Sequence, residues 1–154
     1  MNSGRVVSIA IIALTAAFGA ALWYSQTRAY YERIEMAALP LTLASGEEFS
    51  LEPDMFTGID ADTSPLRFRG CFSVAPDVAA RVIADGVPAV DPTPLIAPAW
   101  FDCYDANIVG ADLEAGRAIA VLATPEIARG VDRIIALYPD GRGFAWHQLN
   151  GSLE

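Results

Sequence analysis

Residues 6–24 form an unbroken run without a charged side chain, and after it the apolar positions fall into short stretches with strand or helix periodicity. A helix over that run is long enough to cross the hydrocarbon core of a bilayer, which takes roughly 20 residues. Trp23 and Tyr24 end it where amphipathic rings sit at headgroup level, and Tyr30, Tyr31, Arg28 and Arg33 continue that interfacial chemistry. A cleaved signal peptide competes with an anchor, since small residues around Gly19 offer a processing site. The run nevertheless continues past them, beyond the length of an ordinary signal core, so an uncleaved anchor is the reading adopted.

From Gln26 to Ala38 good helix formers continue without Gly or Pro, predicting a helical stalk that stops at Pro40. Tyr30, Tyr31 and Ile34 fall at helical spacing on that stalk, a face for its own domain or for a partner helix. Residues 41–43 read as a short strand, 49–55 as a second extended piece and 58–65 as a polar loop. Alternation over 66–74 predicts a strand with Leu66, Phe68, Phe72 and Val74 on one face and Arg67, Arg69, Cys71 and Ser73 on the other.

Pro76 and Asp77 open a short helix over 78–84. Residues 87–99 hold Pro88, Pro92, Pro94 and Pro98 and read as a long surface connector. Asp105 or Asn107 caps a second helix through Glu114, which Gly116 closes. A buried strand is expected over 117–123. The clearest hairpin pairs 131–138 with 144–149 around Pro139-Asp-Gly-Arg-Gly143. The fold class is therefore α+β: one N-terminal transmembrane helix, then a small, mostly antiparallel sheet domain with two short helices on one face. The anchor and stalk occupy 1–36 and the domain 37–154.

Composition narrows the chemistry. All ten basic residues are arginine, which excludes a P-loop lysine, a Schiff-base lysine and a Ser-Lys pair. All 19 acidic residues and all arginines but Arg5 follow Tyr24, so that part carries a net charge of −10, which argues against nucleic acid as a partner. Cys71 and Cys103 both follow the apolar run and are expected to form a disulfide, with two reduced core thiols as the alternative. Arginines flank the run on both sides and give no clear orientation. The cysteines and the acidic domain favour a cytoplasmic N-terminus and a periplasmic domain.

No motif assembles a catalytic set. Asp60-Ala-Asp62-Thr-Ser64 begins like a calcium loop, but Pro65 and Cys71 stand where that loop needs Gly and Glu, so a turn held by Asp side chains is expected instead. His147, the single histidine, lies beside Trp146 on a hairpin strand and reads as a packed side chain rather than a general base or ligand. With Cys71 and Cys103 it makes only three ligands at spacings unlike zinc sites, so neither metal nor other cofactor is expected. Arg67 and Arg69 are candidates for anion binding, or for internal pairing with Asp60, Asp62 or Asp102.

Gly58 to Asp62, Ser64-Pro65, Arg67-Phe-Arg69, Cys71-Phe72, Ala97-Pro98, Trp100-Phe-Asp-Cys103, Gly130-Val-Asp-Arg133, Asp140 to Phe144 and Trp146-His-Gln148 resemble an uncharacterised alphaproteobacterial family of short single-pass membrane proteins. The resemblance implies an inner-membrane location and lends no catalytic residue. The expected function is a non-enzymatic accessory subunit or assembly factor of a larger membrane complex, such as a respiratory one. Tyr30, Tyr31, Ile34, Arg67, Arg69, Trp146 and His147 are its candidate interaction residues. Alternatives are a tethered hydrolase or thiol enzyme using Cys71 or Cys103 with His147, and an anion sensor using Arg67 and Arg69.

Overall fold

The structure, a computed structural model, describes residues 2–153. It consists of two compact units, Met1–Tyr31 and Glu32–Glu154. The first is built on helix α1 (Ser3–Thr27), 25 residues long and with none of them buried. At 1.5 Å per residue it spans about 37 Å, more than the roughly 30 Å of a bilayer's hydrocarbon core. Its hydroxyls fold back on the helix: Ser8 Oγ donates to the Gly4 carbonyl at 3.0 Å, Thr15 Oγ1 to Ile11 at 2.9 Å and Thr27 Oγ1 to Trp23 at 2.7 Å. A polar side chain so satisfied can lie in hydrocarbon. A membrane anchor and a signal sequence share these properties.

The helical stalk expected over 26–38 is not formed. α1 ends at Thr27, Arg28 leaves the helical region at φ −136°, and Glu32–Ile34 become strand β1. The reason is tertiary: β1 pairs antiparallel with β4 (Met55–Asp60), so hydrogen bonding to a sheet edge overrides local helix preference. Tyr30, Tyr31 and Ile34 therefore share no helix face, and Ile34 packs against the domain core.

The domain has a six-stranded antiparallel sheet in the order β1-β4-β5-β8-β7-β6, with β5 at Arg69–Ser73, β6 at Ile119–Ala128, β7 at Val131–Leu137 and β8 at Arg142–Leu149. A second sheet pairs β2 (Leu39–Thr42) with β3 (Glu48–Leu51). The predicted extended piece over 49–55 is thus the end of β3 and the start of β4, and β4 runs through Gly58 and Ile59 before the polar loop begins. Residues 65–67 form a 3-10 turn capped by the Ser64 hydroxyl, so β5 starts only at Arg69. β6 extends beyond the expected 123 and bends at two irregularities in its pairing with β7.

One sheet face carries Phe72, Ile135, Leu137 and Ala145 against β2, β3 and the helix α2 (Pro76–Asp85), which contributes Ala79 and Val82 to this core. Glycines let aromatic rings lie flat on the strands. The Phe56 ring covers the cross-strand pair Gly58 and Gly70, and the Phe72 ring covers Gly143 on β8. A Cβ at Gly70 would stand 2.8 Å from the Phe56 ring.

The helix α3 (Ala106–Glu114) lies on the opposite face, where the Tyr138 hydroxyl donates to Asp112 at 2.6 Å, so the expectation of both helices on one face fails. The connector between them explains the difference. It first pairs with the outer edge of β6, through the Leu122 amide to the Val87 carbonyl at 2.8 Å and the Ala89 amide to the Ala120 carbonyl at 3.1 Å. That protects the edge and carries the chain around it to the far side.

The Cys71–Cys103 disulfide ties the end of this connector to β5, with Cα atoms 6.3 Å apart. The bridge closes a 32-residue separation, so Cys71→Ser and Cys103→Ser are each expected to lower stability by about 2–5 kcal/mol. Chemical denaturation of the full chain in mild detergent checks this: the double variant should lose no more than either single one, because one bond is removed in every case. By the same measurement Gly70→Ala should cost about 1–3 kcal/mol through the displaced Phe56 ring.

Candidate functional site

Each sheet face holds one buried arginine near β8. Arg69, 4% exposed, points under the connector. Its Nε donates to the Leu95 carbonyl at 2.7 Å, Nη2 to Ile96 at 3.1 Å, and Nη1 to Leu66 at 2.8 Å and Phe68 at 2.6 Å. The expected pairing with Asp60, Asp62 or Asp102 is replaced by four backbone carbonyls, two from the proline-rich segment laid on the sheet and two from the 3-10 turn before β5, whose carbonyls need donors. Arg67 sits in the 3-10 turn rather than beside Arg69 on one strand face.

On the other face Arg133 meets His147, its cross-strand partner. Arg133 Nε donates to His147 Nε2 at 3.0 Å, and His147 Nδ1 is 2.6 Å from the Pro65 carbonyl. A carbonyl only accepts, so Nδ1 carries the proton and Nε2 is the acceptor. Phe68 stacks on the imidazole at 4.4 Å between centroids, and the Arg133 guanidinium lies 4.5 Å from the Phe68 ring centre. Burial, with Arg133 and Arg69 nearby, pushes the imidazole down to about 4, although the Pro65 hydrogen bond opposes this. Burial also lifts the Asp60 carboxyl above its ordinary value and lowers Arg133 below its own.

Trp146 is fully buried and donates from Nε1 to Gln148 Oε1 at 3.0 Å. Trp146, His147 and Arg69 are therefore interior, and Tyr30 is an exposed residue of the first unit. The cysteines are bonded to each other.

A concave site lies elsewhere, between the connector and the sheet. It is a cleft of about 740 Å³, within the range of small-molecule pockets. Leu122 of β6, Ile134 of β7 and Leu66 form apolar sheet-side walls, while Val87, Val90 and Leu95 line it from the connector. Gln148 holds the roof to the floor: its Oε1 accepts from the Thr93 amide at 2.8 Å and its Nε2 donates to the Asp91 carbonyl at 3.3 Å. Asp91 adopts φ +45°, a conformation Asn and Asp tolerate better than other side chains. At the other side Asp132 accepts from the Glu126 amide at 2.8 Å and from Asn150 Nδ2 at 2.9 Å, which fixes its carboxylate.

Sequence reasoning did not single out Gln148 or Asp91. The available signal was alternation along β8, which puts Gln148 on the same face as Phe144 and Trp146, where a polar side chain needs buried partners.

Residues 39–154 match the model of a family of unknown function (DUF6446). The chain belongs to that family. No curated protein and no solved structure matches the chain. The family match covers every strand from β2 onward, and therefore both the buried arginines and the cleft.

Two outcomes follow from the buried polar groups. Arg69→Met leaves the Leu95 and Ile96 carbonyls without their donor, an expected loss of about 3 kcal/mol or more, with faster amide exchange over 89–99 by mass spectrometry. For His147 the folded state holds the imidazole below its unfolded value of 6.5, so the unfolded chain takes up the proton first. The His147 contribution to stability is full above pH 6.5, falls as pH drops toward about 4 and then levels, a loss of about 3 kcal/mol. Denaturation midpoints at stepped pH should show this slope, and His147→Gln should flatten it within that window.

Proposed function

We propose that the protein is a single-pass inner-membrane protein whose domain lies in the periplasm and works by binding, as an accessory subunit or assembly factor of a larger membrane complex. The observation that carries the binding reading is that the cysteines and the histidine are already engaged. Cys71 is bonded to Cys103, and both ring nitrogens of His147 have partners within the domain. A general base needs a free lone pair within reach of substrate, and a thiol nucleophile needs a thiolate. Arg69, offered as an anion ligand, directs its donors to carbonyls of its own chain.

The location rests on two features of different origin. α1 is long and apolar enough to span a bilayer, and the disulfide fits an oxidising compartment. Retention of the apolar run as an anchor places the domain beside the membrane, where a partner complex would meet it.

The test combines topology with assembly. Ala80 is exposed on α2, so Ala80→Cys adds a reactive thiol without touching the bridged pair. A membrane-impermeant maleimide should label it in spheroplasts, and labelling only after lysis overturns the periplasmic placement. The tagged chain from native membranes, solubilised in mild detergent, should migrate with a stoichiometric membrane partner on a native gel. Migration as a lone chain at native expression overturns the accessory-subunit reading.

A further inference from the structure

The cleft beneath the connector joins apolar walls to acidic residues. We infer that it binds a small organic cation, a ligand with an apolar body and an ammonium or guanidinium head. The apolar part of such a ligand would lie against Leu122, Ile134 and Leu95, and the head would lie toward Asp91 and Asp132. The inference stands independently of the accessory-subunit reading, since it concerns what the cleft holds and not what the domain docks to.

Three observations support it. The first is size: about 740 Å³ accommodates a molecule of drug-like dimensions. The second is construction. Gln148 is 8% exposed and joins the Trp146 indole on the sheet to the Asp91 carbonyl and Thr93 amide on the connector, so the cleft is held open by fixed hydrogen bonds. A site whose walls are tied by hydrogen bonds within the domain spends little binding energy on ordering.

The third is charge. The charged residues among those lining the cleft are Asp91 and Asp132, both acidic, in a chain of formal net charge −9. An anionic ligand would meet two like charges next to low-dielectric walls, while a cation is attracted there. The Asp132 carboxylate is oriented by the Glu126 amide and Asn150, and the Asp91 backbone is fixed by Gln148 through its carbonyl. Both acidic residues thus stand beside the apolar walls, and the complementary ligand carries both properties at once.

The experiment uses the full chain in lipid nanodiscs, with empty nanodiscs as the baseline. Three probes share one apolar body: 4-phenylbutylammonium, 4-phenylbutanol and 4-phenylbutyrate. Saturation-transfer NMR titrations should show saturable binding of the ammonium, about tenfold tighter than the carboxylate, with the alcohol between. Asp91→Asn keeps a residue tolerant of positive φ and removes only the charge. It should weaken the ammonium about threefold to tenfold and leave the alcohol unchanged. Leu122→Trp, with folding confirmed by its melting curve, should fill the cleft and abolish binding of all three. If that variant does not fold, Val87→Trp fills the cleft from the connector side with the same expectation.

Equal affinity for ammonium and carboxylate, no saturable binding, or binding that survives a folded cleft-filling variant would each overturn the inference.

Discussion

A proline-rich segment laid across a sheet must find donors for its carbonyls, and the far face of this domain is arranged around that need. Pro92, Pro94 and Pro98 have no N–H to give, so the segment cannot join the sheet as a regular strand. Arg69 and Gln148 supply the missing partners from the sheet, the first to Leu95 and Ile96 and the second to Asp91 and Thr93. Burying a guanidinium is costly, and four charge-assisted bonds to carbonyls offset that cost where no carboxylate partner is required. The disulfide acts at the end of the same segment and limits how far its unfolded form can wander. Cleft, α3 and the shielded edge of β6 all depend on where this segment is held.

The opposite face meets a similar problem differently. Arg133 donates to a neutral imidazole, and Phe68 separates the cation from the hydrophobic core by offering a ring face to both groups. A neutral His147 is what makes this arrangement possible, because a protonated ring would have no acceptor at Nε2 and would face a like charge. Asp60 contributes long-range compensation to Arg133, while burial disfavours its own charged carboxylate. The polar cluster therefore holds the 3-10 turn at Pro65 to the end of β8, which fixes the turn that leads into β5.

What was legible in the chain was local or chemically unambiguous. Gly141 at φ +93° gives the β7–β8 turn the backbone freedom that Asp-Gly announces, and Asp105 caps α3 through its side chain to the Asn107 and Ile108 amides. The disulfide followed from two cysteines placed after an apolar run. Illegible features were decided by partners far away in sequence. Glu32–Ile34 have no strand signature, and β4 recruits them as an edge. The side of the sheet that α3 covers depends on the connector turning round β6, and no periodicity encodes that path. Arg69 reads as an anion ligand or a partner for a nearby carboxylate until its acceptors, 26 and 27 residues later, are in view.

The distribution of arginine completes the argument about partners. Arg69 and Arg133 are interior, and three exposed arginines are committed to carboxylates: Arg81 to Glu47, Arg117 to Asp112 and Arg142 to Asp140. Arg81 also lies over Phe49, Arg142 over Tyr138 and Arg33 over Trp100, so stacking holds several guanidiniums close to the surface. Exposed ion pairs of this kind add little stability, but they pair positive charge locally and leave the surplus carboxylates to set the outer field. A domain so arranged repels anionic surfaces at distances up to about a Debye length, roughly 8 Å at physiological salt, and draws cationic groups toward it. Specific recognition then requires a place where apolar contact and negative charge coincide, and the cleft beside Asp91 and Asp132 is such a place.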